Sequence, residues 1–574
     1  MTQDAVEIRI GLGSCGIASG AEPVHQALRL AARKAGAPRI VKAVGCKGMC
    51  HREPLVEIIG RDGGSALYGN VTPHAAEQIV RRHFGRRSRT DLAPYRCEHT
   101  AQQRIVLENC GEIDPLDIDD YLARGGYQAF EQCRRERTPE QVIAIITESG
   151  LRGRGGAGFP TGRKWALGRA QASRTRYAIC NGDEGDPGAF MDRAVLESDP
   201  HRVLEGLAIA AYAIGAREAY FYIRAEYPLA VAHVRAAIEQ AERRGYIDGI
   251  RLEVREGAGA FVCGEETALI QSLEGRRGTP RLRPPYPVER GFRGQPTIIN
   301  NVETLACVPW IMRHGAAAFA AFGTGASRGT KVFALAGKIR RGGLVEVPMG
   351  VTIREIVEEI GGGIPHGRTF KAVQLGGPSG GCIPARLAET PVDYDALART
   401  GAIMGSGGMV VLDDRDCMVD MARFFLHFTQ AESCGKCTFC RIGTKRMLEI
   451  LERLCTGKSH AGDLDKLETL ADYVSRGSMC GLGQTAPNPV MTTLRYFREE
   501  YEAHLQGRCP AGRCAALIRY QVNENCCGCT LCAQACPTGA IAARPYEKHA
   551  VDDERCTRCD MCRQACKDKA IEVI

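Results

Sequence analysis

Residues 150–165 read GLRGRGGAGFPTGRKW, a run with glycine at 150, 153, 155, 156, 158 and 162 and with Lys164 near its end. Repeated glycine lets backbone N–H groups approach a phosphate closely, and the N-terminus of a following helix adds a favourable dipole. The spacing is neither the dinucleotide G-x-G-x-x-G nor the phosphate loop that ends in Gly-Lys-Ser/Thr. Alone, the run fits a tight turn as well as a phosphate cradle. Three further stretches follow it in order. Asn181-Gly-Asp-Glu-Gly-Asp186 and Gly257-Ala-Gly-Ala-Phe-Val-Cys-Gly-Glu-Glu-Thr267 each follow a strand-like segment, and Asn300-Asn301-Val-Glu-Thr304 is the third.

Together these four stretches resemble the NADH-binding, FMN-containing subunit of complex I (the 51-kDa type) and its soluble relatives, from about Gly150 to Ala503. The resemblance implies roles for the matching positions. Gly155, Gly156 and Lys164 would hold the FMN phosphate and the nicotinamide dinucleotide. Asn181, Asp183, Gly264, Glu265, Asn300 and Asn301 would contact FMN. Phe159, Glu184 and Glu266 would line the dinucleotide side, and Tyr286, after Pro284 and Pro285, would stack on the adenine. Amides and carboxylates suit ribityl hydroxyls and isoalloxazine edges, and Lys164 balances phosphate charge. Asp186 departs from the glutamate usual in the respiratory subunit, which leaves NAD versus NADP preference open. No catalytic acid or base is needed, because hydride passes from the nicotinamide to FMN and the protein supplies stacking and alignment. Cys180 and Cys263 fall inside these motifs and read as buried small residues.

The last 49 residues carry two cysteine runs of one spacing: Cys526, Cys529, Cys532, Cys536 and Cys556, Cys559, Cys562, Cys566. Such a run wraps a [4Fe–4S] cluster, so the chain carries single electrons. The pair resembles bacterial two-cluster ferredoxins, where the fourth cysteine of each run serves the other cluster. That implies one set of Cys526, Cys529, Cys532 and Cys566 and another of Cys556, Cys559, Cys562 and Cys536. Lys567 stands where proline is usual, and Cys527 has no assigned role.

Between flavin motifs and ferredoxin-like runs, residues 331–415 show short strands (331–336, 344–348, 370–375 and 409–412) and a helix near 353–359, resembling the ubiquitin-like insert of the same family. Cys434, Cys437 and Cys440 then form a strong cluster motif, with Cys480 matching its fourth ligand. Helical patterns cover 418–430, 442–454, 463–476 and 488–505. The first and last each span about 25 Å at helical rise, so Cys417 at the start of one and His504 at the end of the other should lie level. With Cys509 and Cys514 they would make a closed tetrahedral zinc site. Cys382 is a rival fourth ligand, and unliganded linker cysteines are the plain alternative.

At the N-terminus, strands at 5–12, 40–45, 54–59 and 65–71 and helices at 21–36 and 72–84 give the order β-α-β-β-β-α, the last helix opened by Thr72 and Pro73. This resembles the thioredoxin-like [2Fe–2S] domain of 24-kDa-type subunits. Cys46 and Cys50 fit one cysteine pair and Cys15 half of the other. The spacing of the missing ligand points to Ile10 or Gly20, neither of which binds iron. Either a three-thiolate cluster with an unusual fourth ligand or a domain kept for docking is implied. Residues 85–115 read as a connection, and Thr138 with Gln141 as a capping box.

The 574 residues, 44% hydrophobic and 25% charged, suit several soluble domains. Cysteines clustered in metal-type runs imply a reducing cytoplasm rather than a secreted disulfide scaffold. MTQDAVEIRIG has no signal-peptide pattern, no apolar run is long enough to span a membrane, and a net charge of +8 is too small to argue for nucleic acid. The expectation is a multidomain α/β chain: thioredoxin-like 1–90, FMN/NAD(P)-binding 91–330, ubiquitin-like 331–415, a four-helix cluster bundle 416–506 and a two-[4Fe–4S] ferredoxin domain 507–574. That layout resembles the NAD(P)-reactive beta subunit of soluble electron-bifurcating hydrogenases and the diaphorase subunits of NAD-linked formate dehydrogenases. It implies electron exchange between NAD(H) or NADP(H), FMN and three [4Fe–4S] clusters, with ferredoxin, a 24-kDa-like [2Fe–2S] subunit and a catalytic subunit as partners. The alternatives are a non-bifurcating diaphorase or complex I-like module, and an electron-transfer adaptor with a vestigial flavin site.

Overall fold

The computed structural model describes residues 5–38, 40–61, 63–84, 93–95 and 102–574. Two compact units are present: Met1–Val411 with Met479–Leu482, and Leu412–Ser478 with Gly483–Ile574.

The first unit opens with a four-stranded sheet of β1 (Ala5–Gly11), β2 (Val41–Val44), β3 (Val56–Gly60) and β4 (Ser65–Tyr68), in the order β2-β1-β3-β4. Only β1 and β2 run parallel, as they must when helix Ala21–Lys34 crosses between them. That helix and Pro73–Phe84 bury Val24, Leu28, Ala76 and Ile79 against Ile8, Ile10, Val56 and Ile58. Thr72 caps the second helix, its Oγ1 accepting from Ala75 N at 3.2 Å. A short helix, Ser14–Ala18, was not anticipated. Of the expected connection at 85–115, residues 85–92 and 96–101 lie outside the described residues.

Next comes a wholly parallel sheet of β5 (Tyr177–Gly182), β6 (Glu218–Arg224), β7 (Arg251–Gly257) and β8 (Thr297–Asn301), in the order β7-β6-β5-β8. Its strands β5 and β6 are nearly continuous buried runs, as expected when helices cover both faces. Helices Pro200–Ile214 and Val302–His314 pack there and are buried over most of their length. The Thr138–Gln141 capping box forms, with both reciprocal bonds at 3.3 and 2.8 Å. Strand order reverses between β5 and β8, and such a switch opens a crevice beyond the carboxyl ends of the strands.

A hairpin of β9 (Gly323–Thr324) and β10 (Ser327–Arg328) leads to a five-stranded sheet of β11 (Thr330–Gly337), β12 (Gly343–Pro348), β13 (Phe370–Leu375), β14 (Gly381–Pro384) and β15 (Gly408–Asp413), ordered β12-β11-β15-β13-β14. The sequence pattern anticipates four of these strands and misses β14, four residues ended by proline, as well as helix Tyr394–Thr400. The expected helix near 353–359 is Glu355–Ile360, wound as a π-helix, with Gly361 N bonding Ile356 O at 2.8 Å. Buried Glu346 on β12 accepts from the N–H groups of Ile105, Val106 and Leu107 at 2.9–3.0 Å, which ties the segment after residue 102 to this sheet.

In the second unit, helices Met418–Ala431, Thr444–Cys455 and Asp463–Gly477 fall where expected. The single helix expected over 488–505 is two, Asn488–Tyr496 and Arg498–Leu505, broken at Phe497 (φ −137°, ψ 40°). The Thr492 and Thr493 hydroxyls bond back to the carbonyls of Asn488 and Pro489, a local competition that bends helices. Thr493 Oγ1 also meets Tyr501 OH at 2.7 Å across the break. Strands β16 (Tyr520–Val522) and β17 (Ile571–Val573) pair antiparallel and close the C-terminal segment on itself.

Candidate functional site

A cavity of about 710 Å³ lies in the first unit, within the range of about 300–1,000 Å³ usual for small-molecule sites. Asn181 at the end of β5 and Asn300 and Asn301 at the end of β8 are on its wall, so it occupies the β5/β8 switch. Three helix N-termini converge on it. Helix Thr161–Arg169 contributes Arg163, Lys164 and Leu167; helix Glu266–Leu273 contributes its cap Glu265 and Glu266; helix Val302–His314 contributes its cap Asn301. The dipole of such an end favours an anion, although Glu265 and Asn301 take N–H groups at the second and third. Phe159 and Tyr286 are also on the wall, 40% and 49% exposed, and so present open aromatic faces.

The amides are held by the fold. Trp165 Nε1 donates to Asn300 Oδ1 at 2.9 Å, and Asn181 Nδ2 donates to Gly264 O at 2.9 Å. Asn301 Oδ1 accepts from Glu303 N and Thr304 N, while its Nδ2 donates to Asp192 Oδ2 at 2.5 Å. Glu265 Oε2 caps its helix through Thr267 N and Ala268 N. Lys164 Nζ donates to Ile299 O at 3.0 Å and lies 3.9 Å from Glu266, which also pairs with Arg283 at 2.8 Å. Burial lowers the Lys164 pKa, opposed by Glu266. A Cβ on Gly155 would stand 3.0 Å from Asn301 Cβ, and Gly156 has φ +126°, so the loop needs glycine at both.

Of the residues singled out from the sequence, Gly155, Phe159, Lys164, Asn181, Gly264, Glu265, Glu266, Tyr286, Asn300 and Asn301 line this cavity, and Gly156, Asp183 and Glu184 do not. Gly156 backs onto Gly405, and Asp183 O lies 3.3 Å from where a Cβ on Gly264 would be. The Glu184 carboxylate instead accepts from Asp192 N and Arg193 N at 3.0 Å, at the start of helix Met191–Ser198. Asp186 accepts from Ser406 Oγ at 2.7 Å, and burial raises its carboxyl to about 6. Behind Asn301, burial and the charges of Glu184 and Glu303 hold Asp192 well above the usual carboxylate range. Lys331, fully buried, pairs with Glu303. Arg163, Gln171, Arg283 and Glu289 also line the cavity and were not singled out, although Arg163 adjoins Lys164 in the glycine-rich run. Gly481, the residue after Cys480, is on the wall too.

The sulfur groups are as distinct as their spacings. Cys417, His504, Cys509 and Cys514 offer four ligand atoms within 4.8 Å of one another, all from buried residues. His504 Nε2 is 3.4 Å from Cys417 Sγ and 3.3 Å from Cys514 Sγ, and the two sulfurs are 3.7 Å apart. Tetrahedral zinc, with bonds of about 2.3 Å to sulfur and about 2.0 Å to nitrogen, has edges of about 3.5–3.8 Å. His504 Nδ1 donates to Glu500 O at 2.7 Å, which turns the Nε2 lone pair inward. Hydrogen bonds from Cys417 and Cys514 hold the Cys509 thiol far below its ordinary range. Cys382 lies on β14 of the first unit and is not part of this group.

Two small cavities occur in the C-terminal segment. One is lined by Cys526, Cys529, Cys532 and Cys566, the other by Cys536, Cys556, Cys559 and Cys562. Each therefore takes three cysteines from one run and the fourth from the other. Cys527 reaches Asp568 at 2.9 Å. Cys434 and Cys437 sit on the loop after helix Met418–Ala431, and Cys440 in the π-helical turn Phe439–Gly443, its sulfur 3.2 Å from Ser433 Oγ. Cys480 falls in the short segment that belongs to the first unit. Cys180 and Cys263 are buried, and burial raises both thiols.

At the N-terminus, Cys15, Cys46 and Cys50 bring three sulfurs within 4.8 Å of one another. Hydrogen bonds from Cys46 and Cys50 push the Cys15 thiol down to about 3, and Arg193 Nη2 donates to its sulfur at 3.7 Å. The cysteine loops dock on helix Met191–Ser198: Ser14 N donates to Glu197 at 2.8 Å and Cys46 N to Ser198 Oγ at 3.0 Å. The same helix starts on Glu184 and Asp192, so it joins this group to the floor beside Asn301. A [2Fe–2S] cluster takes four protein ligands, and this set is one short.

Comparison with known proteins agrees with this arrangement. Residues 146–310 match the Nuo51 FMN-binding domain, and residues 420–504 the NADH-ubiquinone oxidoreductase-F iron-sulfur binding region. The NADP-reducing hydrogenase subunit HndC of Solidesulfovibrio fructosivorans is 51% identical over 78% of this chain and 93% of its own length. The F 2 subunit of the NADH-quinone oxidoreductase of Rhizobium meliloti (strain 1021) is 45% identical over 71% of this chain and 99% of its own. Among solved structures, an NAD+-reducing [NiFe]-hydrogenase in the H2-reduced state aligns with TM-score 0.64 and 32% identity, over 87% of this chain and 84% of that one. The chain belongs to the complex I 51-kDa-type family of FMN-binding oxidoreductase subunits.

Proposed function

We propose that this chain is the NAD(P)H-reactive flavin subunit of a multisubunit oxidoreductase, exchanging electrons between NAD(P)H, FMN and three [4Fe–4S] clusters. The observation that carries the reading is the cavity at the β5/β8 switch, where two aromatic faces, Lys164 and three helix N-termini surround amides fixed by the fold. When bound, FMN supplies the hydride acceptor and a route from two-electron to one-electron chemistry. The start of helix Thr161–Arg169 and Lys164 would take phosphate charge, Asn181, Asn300 and Asn301 would orient polar edges, and Phe159 and Tyr286 would stack on rings. A cluster on Cys434, Cys437, Cys440 and Cys480 would take electrons from FMN.

The remaining parts fit the same reading: thioredoxin-like 1–90, flavin 91–330, ubiquitin-like 331–415, cluster bundle 416–506 and ferredoxin-like 507–574. The two C-terminal cysteine sets would hold two cubanes and form a second electron branch, which bifurcation with ferredoxin requires. Cys417, His504, Cys509 and Cys514 would hold a structural zinc between bundle and ferredoxin domain. The likeness to the hydrogenase relative favours a hydrogenase-type catalytic partner, together with a 24-kDa-like [2Fe–2S] subunit. The likeness to the quinone oxidoreductase relative favours, as a second reading, a module without bifurcation; the co-purifying subunits separate the two. No helix among the described residues is long and apolar enough to cross a membrane.

The FMN-loaded chain should reduce ferricyanide with NADH or NADPH, and inactivity with both would sink the proposal. Iron should be about twelve per chain, four for each cubane.

A further inference from the structure

We propose that Cys15, Cys46 and Cys50 hold a single divalent, thiophilic ion of the zinc class, and that the N-terminal domain is a brace rather than an electron relay. A binuclear iron–sulfur cluster needs two protein ligands on each of two irons, so its ligand pairs stand on opposite sides of a two-metal core. Here all three sulfurs lie within 4.8 Å of one another, and Cys46 and Cys50 are 3.7 Å apart. Thiolates about 2.3 Å from one tetrahedral ion are separated by about 3.8 Å. Ile10 and Gly20, where the partner of Cys15 would fall, have no ligand atom.

The surroundings suit one ion. Three thiolates around a divalent cation leave one net negative charge, and Arg193 brings one positive charge to Cys15. Gly48 N donates to Cys46 Sγ at 3.3 Å, as backbone groups do around bound thiolates. Cys15 and Cys50 are only partly buried. Glu53, three residues beyond Cys50, is buried with Oε2 accepting from Leu55 N at 2.8 Å, and its Oε1 has no hydrogen-bond partner among the described residues. A closed-shell ion carries no electrons. Its effect is to fix both cysteine loops against helix Met191–Ser198, whose first turn meets Asn301 at the flavin cavity.

The test uses the full chain, purified without oxygen, with zinc, iron and acid-labile sulfide measured per chain. Cys46→Ser should lose about one zinc with iron and sulfide unchanged. Loss of iron and sulfide with zinc unchanged, or loss of no metal, overturns the proposal. If Cys46→Ser does not fold, dithionite-reduced wild type and Cys417→Ser decide. A [2Fe–2S] electron paramagnetic resonance signal in the wild type overturns the proposal. No such signal, with zinc retained in Cys417→Ser, upholds it; no signal and no zinc in that variant overturns it.

Discussion

The two compact units are stabilised by different means. In the first, the core is mostly hydrocarbon: Leu204, Ile209, Phe221, Leu305 and Ile311 are fully buried between a parallel sheet and its helices, and its buried Cys110, Cys133, Cys180 and Cys307 belong to no ligand group among the described residues. In the second, sulfur stands inside the core. Cys417, Cys455, Cys509, Cys514, Cys532 and Cys562 are among its buried residues, and Cys526, Cys556 and Cys566 pack against it. The C-terminal segment has one pair of three-residue strands and helices of four and five residues to hold it. A segment of about 70 residues or fewer seldom folds on so little without metal. The contrast teaches that the proposed flavin cavity is framed by packed side chains of the first unit, whereas in the second unit the proposed metal ligands are themselves part of the core.

Metal removal is the strongest way to break that comparison. Chelation of the full chain should unfold the second unit and, in the first, loosen only the N-terminal cysteine loops, so calorimetry should lose one transition and new proteolytic cuts should fall mainly in 412–574. Joint melting would show that both units depend on metal. More narrowly, His504→Ala should cost one zinc and at least about 3 kcal/mol of second-unit stability, a fraction of the roughly 10 kcal/mol or more that zinc contributes in small fingers.

Asn301 is a comparable residue of the first unit, because one side chain caps a helix and also lines the cavity proposed to hold FMN. Asn301→Ala removes a helix cap and the partner of buried Asp192. Stability should fall by about 1–2 kcal/mol, and FMN retained after desalting should fall about tenfold or more. Asn301→Asp keeps the cap but sets a carboxylate against Asp192, so it should recover part of the stability and little of the flavin.

Legibility in the sequence followed the same division. Periodicity and the Thr138–Gln141 and Thr72–Pro73 signals located helices at the two ends of the chain and Pro139–Glu148, because caps and faces are local properties, while buried helices such as Pro200–Ile214 and Val302–His314 were missed. Equal helical lengths placed Cys417 level with His504 even though the second helix breaks at Phe497; its two parts still carry the imidazole to the thiol. The break itself was hidden, since it depends on threonine hydroxyls choosing backbone carbonyls. Of the cavity wall, motif residues were legible and Arg283 and Gln171 were not, because these are brought in by packing and belong to no short pattern. Glu184 lies in a motif, yet its carboxylate is taken by the start of a helix seven residues on, a partner that only the fold supplies.

A smaller effect tests whether the wall of the first unit is independent of its frame. Tyr286 makes no cap for a long helix and is half exposed. Tyr286→Ala should raise KM for the nicotinamide cofactor by up to about tenfold, the value of a lost aromatic stack, with kcat within about twofold and FMN content and Tm unchanged. A fall in FMN content would mean that the aromatic face also holds the flavin side.

The smallest effect concerns Asp186, next to the same wall but wholly occupied by the frame. Burial, opposed by Ser406 and Arg224, raises its carboxyl to about 6 from an ordinary 3.8. The folded state therefore holds this proton more tightly than the unfolded state does. The stabilisation is complete below the unfolded value, near pH 4, and is lost as pH rises through about 6. Asp186→Asn keeps an acceptor for Ser406 and has no charge to bury, so it should lack that loss. Its Tm relative to wild type should rise between pH 4 and 7, by on the order of a few degrees, and level off above. A Tm difference independent of pH would mean that Arg224 already offsets the buried charge. Asp186 would then be an ion-pair partner, and the first unit, like the second, would rely on a charge that its apolar core does not provide.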